Sequence, residues 1–348
     1  MTCGRCSDRL RNIEYSGAMD ESPPLRLGII GLGKLWETRH RPALERTRDK
    51  FRVVAVYDQV LERGRRTANQ LRCDPAEGLK QIVEHPNIDA ICLLAPQWFG
   101  TYPIELAAQR KLPVYSSVPI PTFDEARRIG EAIESNGIKF MPELARRQYP
   151  ATRRLKELLT TKLGPVRMIL GQTRVVAFDR YGQPGPTSQN APVSLRSDPI
   201  YFLIDWARHV IGEEPVSVLQ TDASIGMLDN PIEGDFHSII MRYPSGAVAQ
   251  MTCYRHHPAY WGDAARMPLG PGYQVFCERG MAYLEMPDLI RWHDNTGFHE
   301  ERLPMQPSLG ELLEGQFYRL VRDLPYEGPG IRDVLAITRV LDGHSGTH

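Results

Sequence analysis

Short apolar runs alternate with amphipathic stretches between Leu25 and Pro150, and this alternation predicts strands and helices in turn. The runs that predict strands are Leu27–Ile30, Phe51–Tyr57, Asp89–Leu94, Pro113–Ser117 and Lys139–Met141. The stretches that predict helices run through Arg48, over Leu61–Gln70, Leu79–Glu84 and Tyr102–Gln109, and from Thr122 to about Ser135. Strands that are apolar on both faces and alternate with helices are typical of a parallel sheet covered on both sides. We therefore predict a doubly wound α/β domain over residues 25–147.

The pattern changes after Pro150, where a helix over Thr152–Leu159 leads into a long strand, Val166–Val176. A polar loop rich in glycine and proline follows, and after it a helix over Pro199–Ile211. The later runs that predict strands are Val216–Asp222, Phe236–Tyr243, Ala247–Arg255, Tyr273–Glu278 and Met281–Glu285. This half predicts an α+β domain with a large, mainly antiparallel open sheet over residues 148–329.

The two ends of the chain fall outside these patterns. Residues 1–24 are polar and predict a flexible N-terminal extension. Cys3 and Cys6 form an isolated pair in it, without the second pair of ligands that a structural zinc site needs. Residues 330–348 contain a final helix, Gly330–Leu341, which we expect to pack on the first domain.

Composition and charge then narrow the class of protein. The 348 residues include 42 Lys and Arg against 42 Asp and Glu, so the formal net charge is zero. Nucleic-acid surfaces and polybasic membrane anchors need an excess of basic residues, and no apolar run approaches the roughly 18 residues of a membrane span. Six cysteines in a chain of this length do not make a disulfide framework, so we expect a reducing, cytoplasmic setting. His293 and His299 stand isolated in what is expected to be a polar loop, and no metal site is predicted.

The first strand leads into Gly31-Leu32-Gly33, and a helical stretch follows at once. Glycines at such a turn allow the backbone to approach a pyrophosphate closely, and the N-terminus of the helix favours an anion. Asp58 ends the next strand, where a carboxylate accepts hydrogen bonds from an adenosine ribose and repels a 2′-phosphate. The spacing therefore predicts a dinucleotide site that takes NAD in preference to NADP. Its predicted contacts from this part of the chain are Gly31, Gly33, Lys34, Leu35, Trp36 and Asp58.

Trp36 stands where such loops usually have their third small residue. The close packing of the helix on the strand must therefore be rearranged at this point. The sequence leaves three positions open for the indole: over the cofactor site, facing the substrate cleft, or packed under the helix with no further role.

The order and spacing of several further segments resemble one family. These segments are Gly28–Leu44, Val53–Asp58, Ile88–Pro96, Pro119–Ala126, Arg146–Pro150, Leu163–Arg167 and Asp205–Val216. Over about residues 25–345 the chain resembles the Gfo/Idh/MocA oxidoreductases. The resemblance implies a Rossmann domain followed by an open-sheet α/β domain, and an NAD(P)-dependent activity on a small molecule such as a sugar or polyol. It also implies a homo-oligomer that forms through the open sheet.

The catalytic motifs of that family match this chain poorly. Its Glu-Lys-Pro motif falls on Ser117-Val118-Pro119, so the lysine is replaced by Val118. Its Asp-x-Gly-x-His motif begins at Asp198 and ends at Phe202, so the general-base histidine is replaced by phenylalanine. A base positioned for the hydroxyl proton is worth about 10²–10⁴-fold in rate, and neither Val118 nor Phe202 supplies one.

The resemblance also extends the cofactor site. Ala95, Pro96 and Gln97 occupy the segment that lines the nicotinamide pocket in the family, and a histidine expected shortly afterwards aligns with Gly100. We expect these three residues and Pro119 to contact the cofactor.

Residues close to these positions in the sequence are candidates to replace the missing lysine and histidine. Asp198 is retained from the family motif, and Tyr201 adjoins the lost histidine, so these two are the candidate catalytic residues. Arg146 and His257 are the candidate substrate contacts, since an arginine near the domain junction can bind a carboxylate or phosphate and His257 closes a strand near the cleft. The plainer alternatives are an interdomain ion pair for the arginine and a structural role for the histidine.

Three functions stay open on these observations. The first is an NAD(P)-dependent oxidoreductase with a non-standard acid/base set. The second is a redox-neutral lyase or hydrolase that uses tightly bound NAD. The third is a non-catalytic sensor of a nucleotide or sugar. The missing lysine and histidine favour the sensor, whereas the retained Gly31, Gly33, Asp58 and Asp198 favour the two enzymes.

Overall fold

The computed structural model describes residues 22–94, 99–176, 199–223, 236–256 and 272–343. The N-terminal extension with its two cysteines, the segment Ala95-Pro96-Gln97, Asp198 and His257 all lie outside the described residues.

A six-stranded parallel sheet forms the centre of the first domain, in the order β3-β2-β1-β4-β5-β6. Its strands are β1 (Leu25–Ile30), β2 (Phe51–Tyr57), β3 (Asp74–Pro75), β4 (Ala90–Leu93), β5 (Val114–Ser116) and β6 (Phe140–Pro142). All residues of β4 are buried, as expected for a sheet covered on both faces. The strand order reverses between β1 and β4, and doubly wound sheets bind ligands beyond the carboxyl ends of the strands at such a reversal.

Helices connect these strands. They are the helical stretch 34–46, which contains a π-helical turn (Trp36–His40) and α1 (Arg41–Arg46), then α2 (Leu61–Leu71), α3 (Leu79–Val83), α4 (Tyr102–Gln109) and α5 (Phe123–Asn136). The bounds of α5 follow from local chemistry. The Thr122 side chain accepts a hydrogen bond from the Glu125 N–H at its start, and Gly137 at φ +63° ends it.

An eight-stranded sheet forms the second domain, in the order β14-β13-β12-β11-β7-β10-β9-β8. Its strands are β7 (Val166–Val176), β8 (Ser217–Ala223), β9 (Phe236–Arg242), β10 (Val248–His256), β11 (Tyr273–Cys277), β12 (Gly280–Glu285), β13 (Leu289–Asp294) and β14 (Gly297–Arg302). The β7–β10 pair is parallel and the other pairs are antiparallel. The two-domain α/β fold predicted from the sequence, with one parallel and one mainly antiparallel sheet, is therefore confirmed.

Two helices lie on one face of this second sheet: α6 (Pro150–Leu158), continued by a π-helical turn over Leu159–Leu163, and α7 (Pro199–Ile211). Ile239 and Met241 of β9 are fully buried, whereas Ile240 between them is 39% exposed. This period of two is what a sheet with one covered face produces.

Four elements were not predicted from the sequence: β3, β13, β14 and α8 (Leu309–Val321). The prediction that His293 and His299 lie in a polar loop is wrong, because they lie on β13 and β14 and pair across the hairpin with Phe298 and Trp292. The hairpin is at the edge of the sheet, where polar residues interrupt the apolar positions and weaken the pattern that predicts strands.

The last two helices return to the first domain. Helix α8 lies so close to α1 that a Cβ at Gly310 would be 2.6 Å from the Arg39 carbonyl oxygen. Helix α9 (Ile331–Leu341) packs on α5, and the Phe123 N–H donates to Asp342 Oδ2 at 2.8 Å just beyond its end. None of the helices within the described ranges has the length and apolar content required to cross a membrane.

Candidate cofactor and substrate site

The glycine loop joins β1 to the helical stretch 34–46 at the point where the strand order reverses. Gly31 has a φ of +93°, a conformation that favours glycine, and its N–H donates to the Tyr57 carbonyl oxygen at 2.9 Å. A Cβ at Gly33 would meet no atom within 4 Å, so the space beside it is open. The Glu37 N–H donates to the Gly33 carbonyl oxygen at 3.1 Å, and the N–H groups that precede it point past the end of the helix. These features fit the pyrophosphate of a dinucleotide.

Asp58 connects the end of β2 to this loop. Its carboxylate is buried, and it accepts hydrogen bonds from the Leu32 and Val60 N–H groups, each at 2.8 Å. Arg63 Nη1 lies 3.4 Å from both carboxylate oxygens. Asp58 therefore holds the loop in shape, and Arg63, which the sequence analysis did not single out, places a positive charge beside it.

Trp36 packs under the helix. Its side chain is 1% exposed and lies in one core cluster with Leu27, Ile29 and Phe317. Its Nε1 has no hydrogen-bond partner among the described residues. The π-helical turn begins at Trp36 and widens the helix at this point. Of the three positions that the sequence leaves open, the indole occupies the core. Lys34 is exposed and Leu35 is half-buried at the start of the same helix.

A polar cluster is buried between this helix, the sheet and α8, and we call it the His40 cluster: Arg39, His40, Tyr115, Glu143 and Glu314. His40 Nε2 lies 3.2 Å from Glu143 Oε2, and His40 Nδ1 lies 3.5 Å from Glu314 Oε1. The Tyr115 hydroxyl donates to Glu143 Oε2 at 2.7 Å, and Arg39 pairs with the other oxygen of Glu143. An adjoining cavity of about 10 Å³ has room for about one water molecule.

The two glutamates of the cluster differ in protonation. Burial raises the pKa of Glu314 to about 7, although hydrogen bonds from His40 and Thr47 act against it. Burial also acts on Glu143, but His40, Arg39 and Tyr115 outweigh it and hold its pKa below the ordinary value. The same carboxylates raise the pKa of His40 despite its burial. The cluster therefore contains a charged Glu143–His40 pair and a glutamate that titrates near neutral pH.

Arg147 joins the two domains at their junction. It pairs with Asp205 of α7 at 2.5 Å and with Asp333 of α9 at 2.6 Å. Arg208 of α7 lies 3.8 Å from each of the same two carboxylates. Burial acts to lower the pKa of Arg147, but the two carboxylates outweigh it and raise that pKa above its ordinary range. The interdomain ion pair that was the plainer alternative for the Arg146–Arg147 segment is thus made by Arg147.

Arg146 has a different environment. Its Nη1 donates to the Tyr273 hydroxyl at 2.6 Å, and its guanidinium lies 5.9 Å from the centre of the Phe202 ring. Phe202 is the residue that the resemblance aligns with the family's histidine. Arg146 follows β6 and Val118 follows β5, so both come after the carboxyl ends of neighbouring strands. The structure therefore places a cation beside the Tyr273 hydroxyl and the Phe202 ring.

Tyr201 is 2% exposed, and its ring packs edge-on against Phe202 at 5.4 Å. Burial raises its pKa above the ordinary value, which is the opposite of what a general base needs. Its catalytic role stays a prediction. Pro119 is half-buried just beyond β5, and its contact with the cofactor stays a prediction.

Two polar groups of the second sheet were missed by the sequence analysis. The sequence identifies Tyr273 only as a strand residue. Its contact with Arg146 joins positions that are far apart in the chain, so no local pattern predicts it. His237 of β9 pairs through Nδ1 with Asp222 of β8, and its buried Nε2 has no partner among the described residues. Neither position carries a local motif that predicts these contacts. No group of three or more side chains suited to a metal ion occurs in the part of the chain that the structure describes.

Comparison with known proteins agrees with this architecture. Residues 25–144 match the model of the GFO_IDH_MocA oxidoreductase family with its NAD-binding Rossmann fold. The first domain of the chain is therefore of the Gfo/Idh/MocA oxidoreductase type.

Individual relatives are distant. An uncharacterized protein of Saccharomyces cerevisiae, YMR315W, is 28% identical over 41% of this chain and 42% of its own. The dTDP-3,4-didehydro-2,6-dideoxy-alpha-D-glucose 3-reductase of Actinomadura kijaniata is 24% identical over 39% of this chain and 41% of its own. The matched part thus spans about two fifths of these relatives. The crystal structure of aldose-aldose oxidoreductase from Caulobacter crescentus shares the fold, with a TM-score of 0.74 and 19% identity over 92% of this chain and 96% of the other.

Proposed function

We propose that this protein is an NAD(P)-dependent oxidoreductase that acts on a sugar, a polyol or a related derivative with a non-standard acid/base set. The observation that carries the proposal is the glycine loop, with Gly31 at positive φ, open space beside Gly33 and Asp58 bound to the Leu32 N–H. The sugar-type substrate is supported by the activity that the name of the Actinomadura kijaniata relative states.

The cofactor would be held by residues from four connections at the same sheet edge. Gly31, Gly33 and the N–H groups of Lys34, Leu35 and Trp36 would bind the pyrophosphate, and Asp58 the adenosine ribose. The segment Ala95-Pro96-Gln97 and Pro119 would line the nicotinamide pocket. When bound, the nicotinamide supplies the acceptor or donor of a hydride. Asp58 supports NAD over NADP as the cofactor, whereas the adjacent Arg63 would tolerate a 2′-phosphate.

Side chains of the protein itself would transfer the proton and bind the substrate. Asp198 and Tyr201 are proposed to replace the missing base, and Arg146 and His257 to contact the substrate. A homo-oligomer formed through the uncovered face of the second sheet and a cytoplasmic location complete the proposal.

A second function has its own supporting observation. Val118 and Phe202 leave the family's two proton-handling positions without an ionisable group. This favours a non-catalytic protein that senses a nucleotide or sugar, and a redox-neutral lyase or hydrolase with tightly bound NAD is the other alternative.

The test is a calorimetric titration of the purified protein with NAD and NADP, after a check for copurified nucleotide. Micromolar binding of NAD supports the oxidoreductase and the redox-neutral enzyme alike. Consumption of the cofactor in the presence of a sugar or polyol then distinguishes the oxidoreductase. Copurified, unconsumed NAD points to the redox-neutral enzyme. A folded protein that binds neither dinucleotide would refute the oxidoreductase.

A further inference from the structure

Arg146 differs from its neighbours at the domain junction in having no acidic partner. Arg147 and Arg208 each lie within 4 Å of carboxylates on α7 and α9. Within the described residues, no carboxylate lies at ion-pair distance from Arg146, and its interactions are the Tyr273 hydroxyl and the Phe202 ring. The side chain is nevertheless half-buried. A partly desolvated cation without a counter-ion is unfavourable unless a ligand provides one.

Tyr273 holds the guanidinium in place. The phenol is 5% exposed, and its ring packs against Trp206 with ring centres 4.3 Å apart, so the hydroxyl has little freedom. The hydroxyl oxygen accepts the hydrogen bond from Arg146, and its own proton has no acceptor among the described residues. A guanidinium edge and a phenol O–H therefore lie side by side as donors without an acceptor.

We propose that Arg146 and Tyr273 together bind an anionic oxygen group of the substrate, either a carboxylate or a phosphate, so that the substrate is an acidic sugar derivative and not a neutral sugar. The proposal rests on the proposed function for the sugar-like part of the substrate, and it adds the charge that the substrate carries.

The chemistry of the pair favours an anion over a neutral hydroxyl. Guanidinium has five N–H donors in a planar fork, and Tyr273 uses one of them. Hydrogen bonds between a charged donor and a charged acceptor are about twice as strong as neutral ones, and the fork matches carboxylate and phosphate oxygens. The family's lysine is Val118 here, so the charge of Arg146 replaces a lost cation at this cleft.

The experiment is a calorimetric titration of the full chain with inorganic phosphate, D-gluconate and D-glucose 6-phosphate, with D-glucose as the neutral match. We expect at least one anionic probe to bind at least about tenfold more tightly than glucose. If D-gluconate binds more tightly than the phosphate probes, the anionic group is a carboxylate, and in the opposite case it is a phosphate. Arg146→Gln should remove that preference. Tyr273→Phe should weaken anion binding by about two- to tenfold, since one hydrogen bond is lost.

Arg167→Gln is the matched control, because Arg167 pairs with Glu278 on the exposed rim of the second sheet and should not affect binding. Thermal unfolding confirms that each variant is folded. Equal binding of anionic and neutral probes by the natural protein, or equal anion binding by the natural protein and Arg146→Gln, would overturn the proposal.

Titration of the same samples with NAD and NADP separates this proposal from the proposed function. Arg146-dependent anion binding without dinucleotide binding would uphold this site and refute the oxidoreductase. Dinucleotide binding without any preference for anions would refute this site alone.

Discussion

At the scale of single residues, the surroundings of each buried carboxylate decide its charge and its role. Asp58 accepts hydrogen bonds from two backbone N–H groups and faces Arg63, so its negative charge is well compensated. Glu314 lies beside a small, mostly apolar cavity, and its carboxylate faces His40 Nδ1 at 3.5 Å and the Thr47 hydroxyl at 3.3 Å. The same functional group therefore carries a compensated charge in one place and responds to pH in the other.

The charge of Asp58 should set the choice between the two dinucleotides. Asp58→Asn keeps an acceptor for the Leu32 N–H but removes the repulsion of a 2′-phosphate, so we expect the preference for NAD to shift about tenfold toward NADP. Arg63→Gln is the matched variant and should shift the preference in the opposite direction. Calorimetric affinities for both dinucleotides measure the two changes. An unchanged ratio in both variants would remove Asp58 and Arg63 from the ribose site.

Glu314 should make the protein less stable as the pH rises through neutrality. The pKa of its carboxyl is raised from an ordinary 4.5 to about 7, so the folded state binds the proton more tightly than the unfolded state does. The resulting stabilisation is complete below about pH 4.5 and is lost as the pH rises toward 7. The raised pKa of His40 acts in the same direction.

Glu314→Gln removes this titration. Relative to the natural protein, we expect the variant to gain about 1–3 kcal/mol of unfolding free energy between pH 5 and pH 8. Denaturant unfolding at both pH values measures the difference, and Glu37→Gln on the exposed side of the helix is the control. A difference that stays constant with pH would show that Glu314 does not titrate in this range.

At the scale of elements, the helix after the glycine loop is shaped by what it buries. The indole of Trp36 is too large for the close contact that a small residue allows, and the helix responds with a π-helical turn. His40, at the end of that turn, faces Glu143 after β6 and Glu314 of α8. Gly310 then lets the backbone of α8 approach Arg39 closely. The large side chain of Trp36 in the loop motif is thus accommodated by the π-helical turn and by the close packing of α8.

Two substitutions of Trp36 should separate its packing from any contact with the cofactor. Trp36→Ala leaves a large cavity and should cost about 3–5 kcal/mol of unfolding free energy. Trp36→Phe should be close to neutral, because the lost contacts are offset by removal of a buried N–H without a partner among the described residues. We expect Trp36→Phe to keep its affinity for NAD within about twofold, measured by calorimetry. A tenfold loss would place the indole in the cofactor site.

At the scale of the whole molecule, the chain crosses between domains and comes back. It leaves the first domain after β6, builds the second sheet and returns with α8 and α9. Arg147 stands at the first crossing and binds Asp205 of α7 and Asp333 of α9. This ion-pair group therefore joins the first connection, the second domain and the returning helix.

Removal of one charge from this ion-pair group should lower the free energy of unfolding. Arg147→Met leaves Asp205, which is 1% exposed, with a weaker partner, and we expect a loss of about 3–5 kcal/mol in unfolding free energy. The double variant with Asp205→Asn should lose less than the sum of the two single variants, since the unpaired charge is gone. Denaturant unfolding of the three variants gives the coupling. Additive losses would show that the two side chains do not interact.

Much of the fold was predictable because its determinants are local. The strand Phe51–Tyr57 and the helix that begins after Thr122 appear in the structure where the sequence predicts them. The hairpin of β13 and β14 and helix α8 were missed, because they lie at a sheet edge and on the surface of the other domain, where partners distant in sequence complete their cores.

The sequence by itself determined the two-domain α/β architecture and the glycine loop. These properties depend on residue type, spacing and periodicity, which are all local features of the sequence. Only the tertiary structure decided that Trp36 lies in the core, that Arg147 and not Arg146 joins the domains, and that Tyr273 accompanies Arg146. The physical reason is that burial and charge pairing are set by side chains that are far apart in sequence, 58 and 186 positions in the Arg147 pairs, and no local pattern encodes such contacts.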